Sequence, residues 1–158
     1  MKTSFESSGN TGRIFESEIL STLPDTWRKE GFFDEAKSYE WVRQNQTWNP
    51  SDPTNKIANE LHYKVAEQLG LDDVNELKFY SALGSPLDYF YGVDAFFEIG
   101  NSTFTLDLSI NPHKKEAKAD MVVHEEVLDD EKELDNLAVT IGRYLKKRQS
   151  EVNLREAA

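Results

Sequence analysis

Two aspartates, Asp94 and Asp107, each lie inside a run of strand-forming residues, a setting that sheets rarely give to a carboxylate. The first sits in Gly92-Val93-Asp94-Ala95-Phe96-Phe97-Glu98 and the second in Phe104-Thr105-Leu106-Asp107-Leu108-Ser109. Between them Ile99-Gly100-Asn101-Ser102 carries the turn residues of a β-hairpin. Side chains alternate along strands running roughly from Tyr91 to Ile99 and from Thr103 to Ile110. Gly92, Asp94, Phe96 and Glu98 therefore share one face of the first strand, and Thr103, Thr105, Asp107 and Ser109 form the polar face of the second. The simplest register brings Asp94 and Asp107 together near the open end of the hairpin. Two neighbouring carboxylates repel and lose hydration, and a hard divalent cation, Mg²⁺ or Mn²⁺, is the usual compensation. The alternative is a one-sided sheet on which both aspartates meet water.

The remaining elements are read in chain order. Residues 1–10 are polar and predict a flexible N-terminus, and 11–148 a single α/β domain. Thr11 caps a first helix through Ile19 and Leu20 that Pro24 closes, with Glu16 on its flank and Glu18 bordering its apolar stripe. Asp34 caps a second helix through Arg43. Asp52, followed by Pro53, starts a third in which Ile57, Leu61, Val65 and Leu69 recur at helical spacing until Gly70 ends it. Leu77–Leu83 reads as a strand, Gly84–Tyr89 as a turn or loop holding Asp88, and Ala119–His124 as a fourth strand. A closing amphipathic helix ends at Lys146-Lys147-Arg148, its acidic start and basic end matching the helix dipole, and 149–158 is read as a flexible tail. Trp27, Phe32, Phe33, Trp41 and Trp48 are the aromatic residues that could stack on bases, but core packing explains them more simply.

With 158 residues the chain is large enough for a real core, and 38% hydrophobic residues with 11% aromatics argue for a folded globule. The absence of cysteine excludes disulfides, thiolate metal sites and cysteine nucleophiles, and fits a cytoplasmic protein. No apolar run is long enough to span a membrane, and the polar N-terminus lacks a signal-peptide core. A net charge of −11 opposes routine nucleic-acid binding, which needs clustered Lys and Arg. There is no internal repeat, glycine-rich phosphate loop, Ser-His-Asp arrangement or paired-histidine motif.

The pair Val93-Asp94 and Asp107-Leu108-Ser109 resembles the core motif of the PD-(D/E)XK nuclease superfamily: a strand ending in aspartate, a tight turn, and a second strand carrying Asp-x-Lys or Glu-x-Lys. Ser109 stands in the lysine position. The resemblance implies a three-layer restriction-endonuclease-like core with a mixed sheet of about four strands flanked by helices. It also implies a Mg²⁺ or Mn²⁺ site on Asp94 and Asp107. Glu16, reached by a Gly-x-x-x-Glu pattern from Gly12, would complete that site, with Glu18 as second choice. Because lysines in this superfamily migrate to neighbouring elements, Lys115, Lys114 or Lys118 in the segment after the hairpin would take the catalytic place left by Ser109. His113 lies in the same segment.

Two functions follow. One is a Mg²⁺-dependent nuclease that hydrolyses phosphodiester bonds in DNA or RNA, or a degenerate descendant of one. The other is a non-enzymatic acidic interaction protein of phage or mobile-element type. It would bind a basic protein partner, pair with a second copy, or mimic DNA.

Overall fold

A computed structural model describes residues 19–109 and 118–157. In chain order these form α1 (Glu35–Gln44), α2 (Lys56–Leu69), β1 (Lys78–Ser81), α3 (Pro86–Tyr91), β2 (Ala95–Ile99), β3 (Ser102–Ser109), β4 (Met121–His124), α4 (Glu125–Asp129) and α5 (Glu131–Ala157), with 3-10 turns at Thr26–Glu30 and Val74–Glu76. The expected hairpin forms: β2 and β3 pair antiparallel from Ile99 opposite Ser102 to Ala95 opposite Leu106, around Gly100 with φ +56°. The sheet order is β1-β2-β3-β4, with β1 antiparallel to β2 and β4 parallel to β3. This is a mixed α/β architecture with helices on both faces of a four-stranded mixed sheet.

Alternation along the strands divides the core in two. Phe79, Ala95, Phe97, Phe104, Leu106, Leu108 and Val123 point into a core shared with Leu61 and Val65 of α2 and with Leu134, Ile141 and Leu145 of α5. Tyr80 and Phe96 point the other way, toward Trp41 and Val42 of α1, Leu87 of α3, and the buried Trp27 and Phe33. On the first side α2 and α5 approach closely at Gly142, where a Cβ would lie 2.7 Å from that of Gln68. Any larger residue at position 142 would push the helices apart. The outer edge of β1 is closed by the Trp48–Pro50 loop: Phe79 donates its N–H to Pro50 O at 2.8 Å, and the Trp48 indole donates to Phe79 O at 2.8 Å.

Several local expectations meet different outcomes. Asp34 caps α1 as predicted, its carboxylate accepting from Lys37 N–H at 2.8 Å. Asp52 does not start α2, which begins at Lys56. Asp52 is instead bridged to Asn49, and its carboxylate accepts from the Asn59 amide at 2.6 Å. Gly84–Tyr89 is more than a turn, because Ser85 caps α3 through Leu87 and Asp88 N–H and Pro86 occupies its first turn. Asp88 is spent locally, accepting from Gly84 N–H at 2.9 Å.

Nor does the closing helix end at Arg148, since α5 continues to Ala157 across the segment read as a tail. No Gly or Pro interrupts 149–158, and Gln149 is anchored by the Ser102 hydroxyl at 3.0 Å. The packing reading holds for Trp27, Phe33, Trp41 and Trp48, all buried, but Phe32 is 69% exposed. Among the described residues no helix is long and apolar enough to cross a membrane.

His62 in α2 is a core histidine. It is buried, and its Nε2–H donates to Leu77 O at 2.7 Å. Burial pushes its pKa below the usual imidazole range, against the opposing pull of the Leu77 hydrogen bond. The unfolded ring therefore gains its proton at a higher pH than the folded one. Stability linked to His62 is present above about pH 6.5 and is lost as pH falls below it, with a slope of at most about 1.4 kcal/mol per pH unit. Urea unfolding of wild type and His62→Gln between pH 7.5 and 5 should show a steeper decline in wild type; parallel curves would contradict this account.

Candidate functional site

Asp94 follows the left-handed Gly92 that ends α3 and precedes β2, and it is held from three directions. Its N–H donates to Leu106 O at 2.8 Å, its C=O accepts from Ala82 N–H at 2.8 Å, and its carboxylate Oδ2 accepts from Leu108 N–H at 2.8 Å. The side chain thus takes over a backbone acceptor's role between β2 and β3. Asp107 lies inside β3, opposite Val122 of β4. The paired register stops at Ala95 opposite Leu106, and the bond from Asp94 N–H to Leu106 O sets Asp94 and Ala95 together against Leu106, in the manner of a β-bulge. The structure brings the Asp94 carboxylate to the N–H of Leu108, the neighbour of Asp107 in β3, while Asp107 shares the face of Thr105 with Phe96 and Tyr80 across the sheet.

Both are buried, Asp94 at 3% and Asp107 at 8% exposure, so the solvated-face alternative does not describe them. Such a pair suits Mg²⁺ or Mn²⁺, since Mg²⁺ is commonly held by one or two carboxylates while retaining several waters. Among the described residues no group of three or more His, Cys, Asp or Glu is arranged to hold a metal ion. Asp94 and Asp107 would supply part of a coordination shell, not a closed cage. Glu16, Glu18, Lys114, Lys115 and His113 lie outside the described residues; Lys118 is described and exposed.

The surroundings of the pair contain groups that sequence reasoning passed over. Asp120 precedes β4 and completes the ladder on β3: its Oδ2 accepts from Thr105 N–H at 2.9 Å and from the Thr105 hydroxyl at 3.0 Å. Arg148 grips the same carboxylate at 3.1 and 2.9 Å and also donates to Thr103 O. Burial works to raise the Asp120 pKa, but the Arg148 and Thr105 hydrogen bonds outweigh it and hold the carboxyl below its ordinary value. An aspartate inside the predicted strand Ala119–His124 was the available sign of this role.

Arg43 of α1 pairs with Glu98 through contacts of 3.2 and 2.5 Å. It lines a groove of about 430 Å³ with Ala36, Tyr39, Glu40 and Thr103. Tyr39 packs edge-on against Phe96 at 5.0 Å, and burial, reinforced by the charges of Glu35 and Asp120, pushes its pKa up to about 12. At the far end of the acidic face, Ser109 pairs with His124 of β4, whose Nδ1 is buried with no hydrogen-bond partner.

No family model, curated protein or solved structure matches the chain. The functional reading therefore rests on the site.

Proposed function

We propose that the chain is a PD-(D/E)XK-like protein that hydrolyses phosphodiester bonds with Mg²⁺ or Mn²⁺, acting in the cytoplasm. The observation that carries this reading is the burial of Asp94 and Asp107, with the Asp94 carboxylate held by the N–H of Leu108 beside Asp107. An antiparallel meander with Asp94 just before its second strand and Asp107 in its third, a parallel strand after it, and helices on both faces also support the reading.

Asp94 and Asp107 would hold the cation, with Glu16 or Glu18 joining them. A divalent cation there supplies a more acidic water and neutralises phosphate charge. The Leu108 N–H fixes the Asp94 carboxylate before any ligand arrives, which lowers the ordering entropy of binding. Burial of both carboxylates strengthens their attraction for a cation relative to bulk water. Lys115, Lys114 or Lys118 would carry the positive charge that Ser109 does not provide.

The second reading, an acidic interaction protein, is favoured by the state of two arginines near this face. Arg43 is taken by Glu98 and Arg148 by Asp120, so neither is free of a carboxylate partner to meet a phosphate. The experiment that separates the readings is incubation of purified protein with single-stranded, duplex and branched DNA and with RNA, in Mg²⁺ or Mn²⁺. The nuclease reading predicts cleavage that EDTA stops. Intact substrates under all these conditions would leave the interaction reading in its place.

A further inference from the structure

β4 ends at His124, directly opposite Ser109 of β3. Asp107 pairs with Val122 two residues earlier, so alternation places Asp107, Ser109, Val122 and His124 on one face of the sheet. Within the described residues, His124 Nδ1 is the one buried side-chain nitrogen or oxygen without a hydrogen-bond partner. Leaving such a group unmatched costs about 1–3 kcal/mol, and native chains tolerate this where a ligand or ordered water completes the group.

Helix capping does not account for the ring: His124 is the N-cap of α4, yet its side chain makes no cap bond. Core packing does not account for it either. The buried histidine of α2, His62, is by contrast satisfied by Leu77 O. The unmatched nitrogen also stands across from Ser109, the third residue of the Asp107-Leu108-Ser109 motif, whose hydroxyl carries no charge.

We propose that His124 is a third functional group of this site, its Nδ1 accepting a hydrogen bond from the water that attacks the phosphodiester. It orients that water where a charged side chain at Ser109 is missing, and the ring takes no covalent part. This inference rests on the nuclease reading.

The test follows the ring and backbone ¹⁵N resonances of uniformly labelled protein during titration with Mg²⁺ alone, with a cleavage assay of two variants beside it. Asparagine at this position offers an acceptor near the place of Nδ1, and glutamine one near the place of Nε2. The expected result is that Mg²⁺ shifts both the Leu108 amide and His124 Nδ1 while His62 stays still. His124→Gln then loses roughly 10²-fold in kcat with KM unchanged, and His124→Asn retains most activity. A Leu108 amide that responds to Mg²⁺ while His124 Nδ1 does not would overturn the inference and leave the nuclease reading standing. A Leu108 amide that never responds would overturn both.

Discussion

Asp107→Asn is expected to reduce Mg²⁺-dependent phosphodiester cleavage by about 10³-fold or more. The amide nearly matches the carboxylate in size but lacks its charge, so the loss reports on the charge of a residue that is 8% exposed and adjoins Leu108, whose N–H holds the Asp94 carboxylate. Losing a full negative charge at the point of cation binding should exceed the roughly 10²–10³-fold effect of losing one neutral donor in an active site. Single-turnover cleavage measures the rate, and thermal unfolding with and without Mg²⁺ measures the coupling. Wild type should be stabilised by about 2.7 kcal/mol when Mg²⁺ is present at a hundred times its Kd, and the variant by much less. Equal activity in the two proteins would make Asp107 a structural residue only.

Phe97→Ala is expected to destabilise the fold by about 4 kcal/mol, within the range for removing a fully buried aromatic side chain. Phe97 is fully buried, lies opposite Phe79 and Phe104 in the sheet, and stacks on the Phe79 ring with centroids 4.1 Å apart and planes 3° from parallel. No neighbouring side chain can collapse into the gap without breaking that stack. Urea unfolding should show a lower midpoint with an unchanged slope. Phe32→Ala provides the contrast: Phe32 is 69% exposed and packs edge-on against Phe90 at 5.0 Å, so its removal should cost less than about 1 kcal/mol. A Phe97→Ala effect as small as that would mean that the sheet core is not packed as described.

The hairpin was legible because three local signals agree there. Gly100-Asn101 specifies a tight turn, the flanking residues alternate, and a register slip of one residue would turn Phe97 and Leu106 out of the core. That register ends at Ala95 opposite Leu106, and it is the side chain of Asp94, not a further ladder step, that reaches β3 at Leu108 N–H. The parallel pairing of β4 with β3 was not legible, since it is set by contacts distant in sequence and leaves no periodic mark of its own. The roles of Asp120 and His124 depend on that pairing and were hidden with it. α3 was missed because its six residues are too few for helical periodicity to show, although Ser85-Pro86 carried the capping signal. The end of α5 was misplaced because Lys146-Lys147-Arg148 resembles a helix terminus by charge alone, whereas Arg148 is occupied with Asp120 and the helix continues past it.

The central claim is that Asp94 and Asp107 together hold one divalent cation, and equilibrium Mn²⁺ binding followed by electron paramagnetic resonance tests it most directly. Wild type should bind one Mn²⁺ per chain in a saturable, Mg²⁺-competed manner, and the Asp94→Asn/Asp107→Asn double variant should not bind at the same concentrations. Undiminished Mn²⁺ binding by the double variant, or none by wild type, would contradict the account.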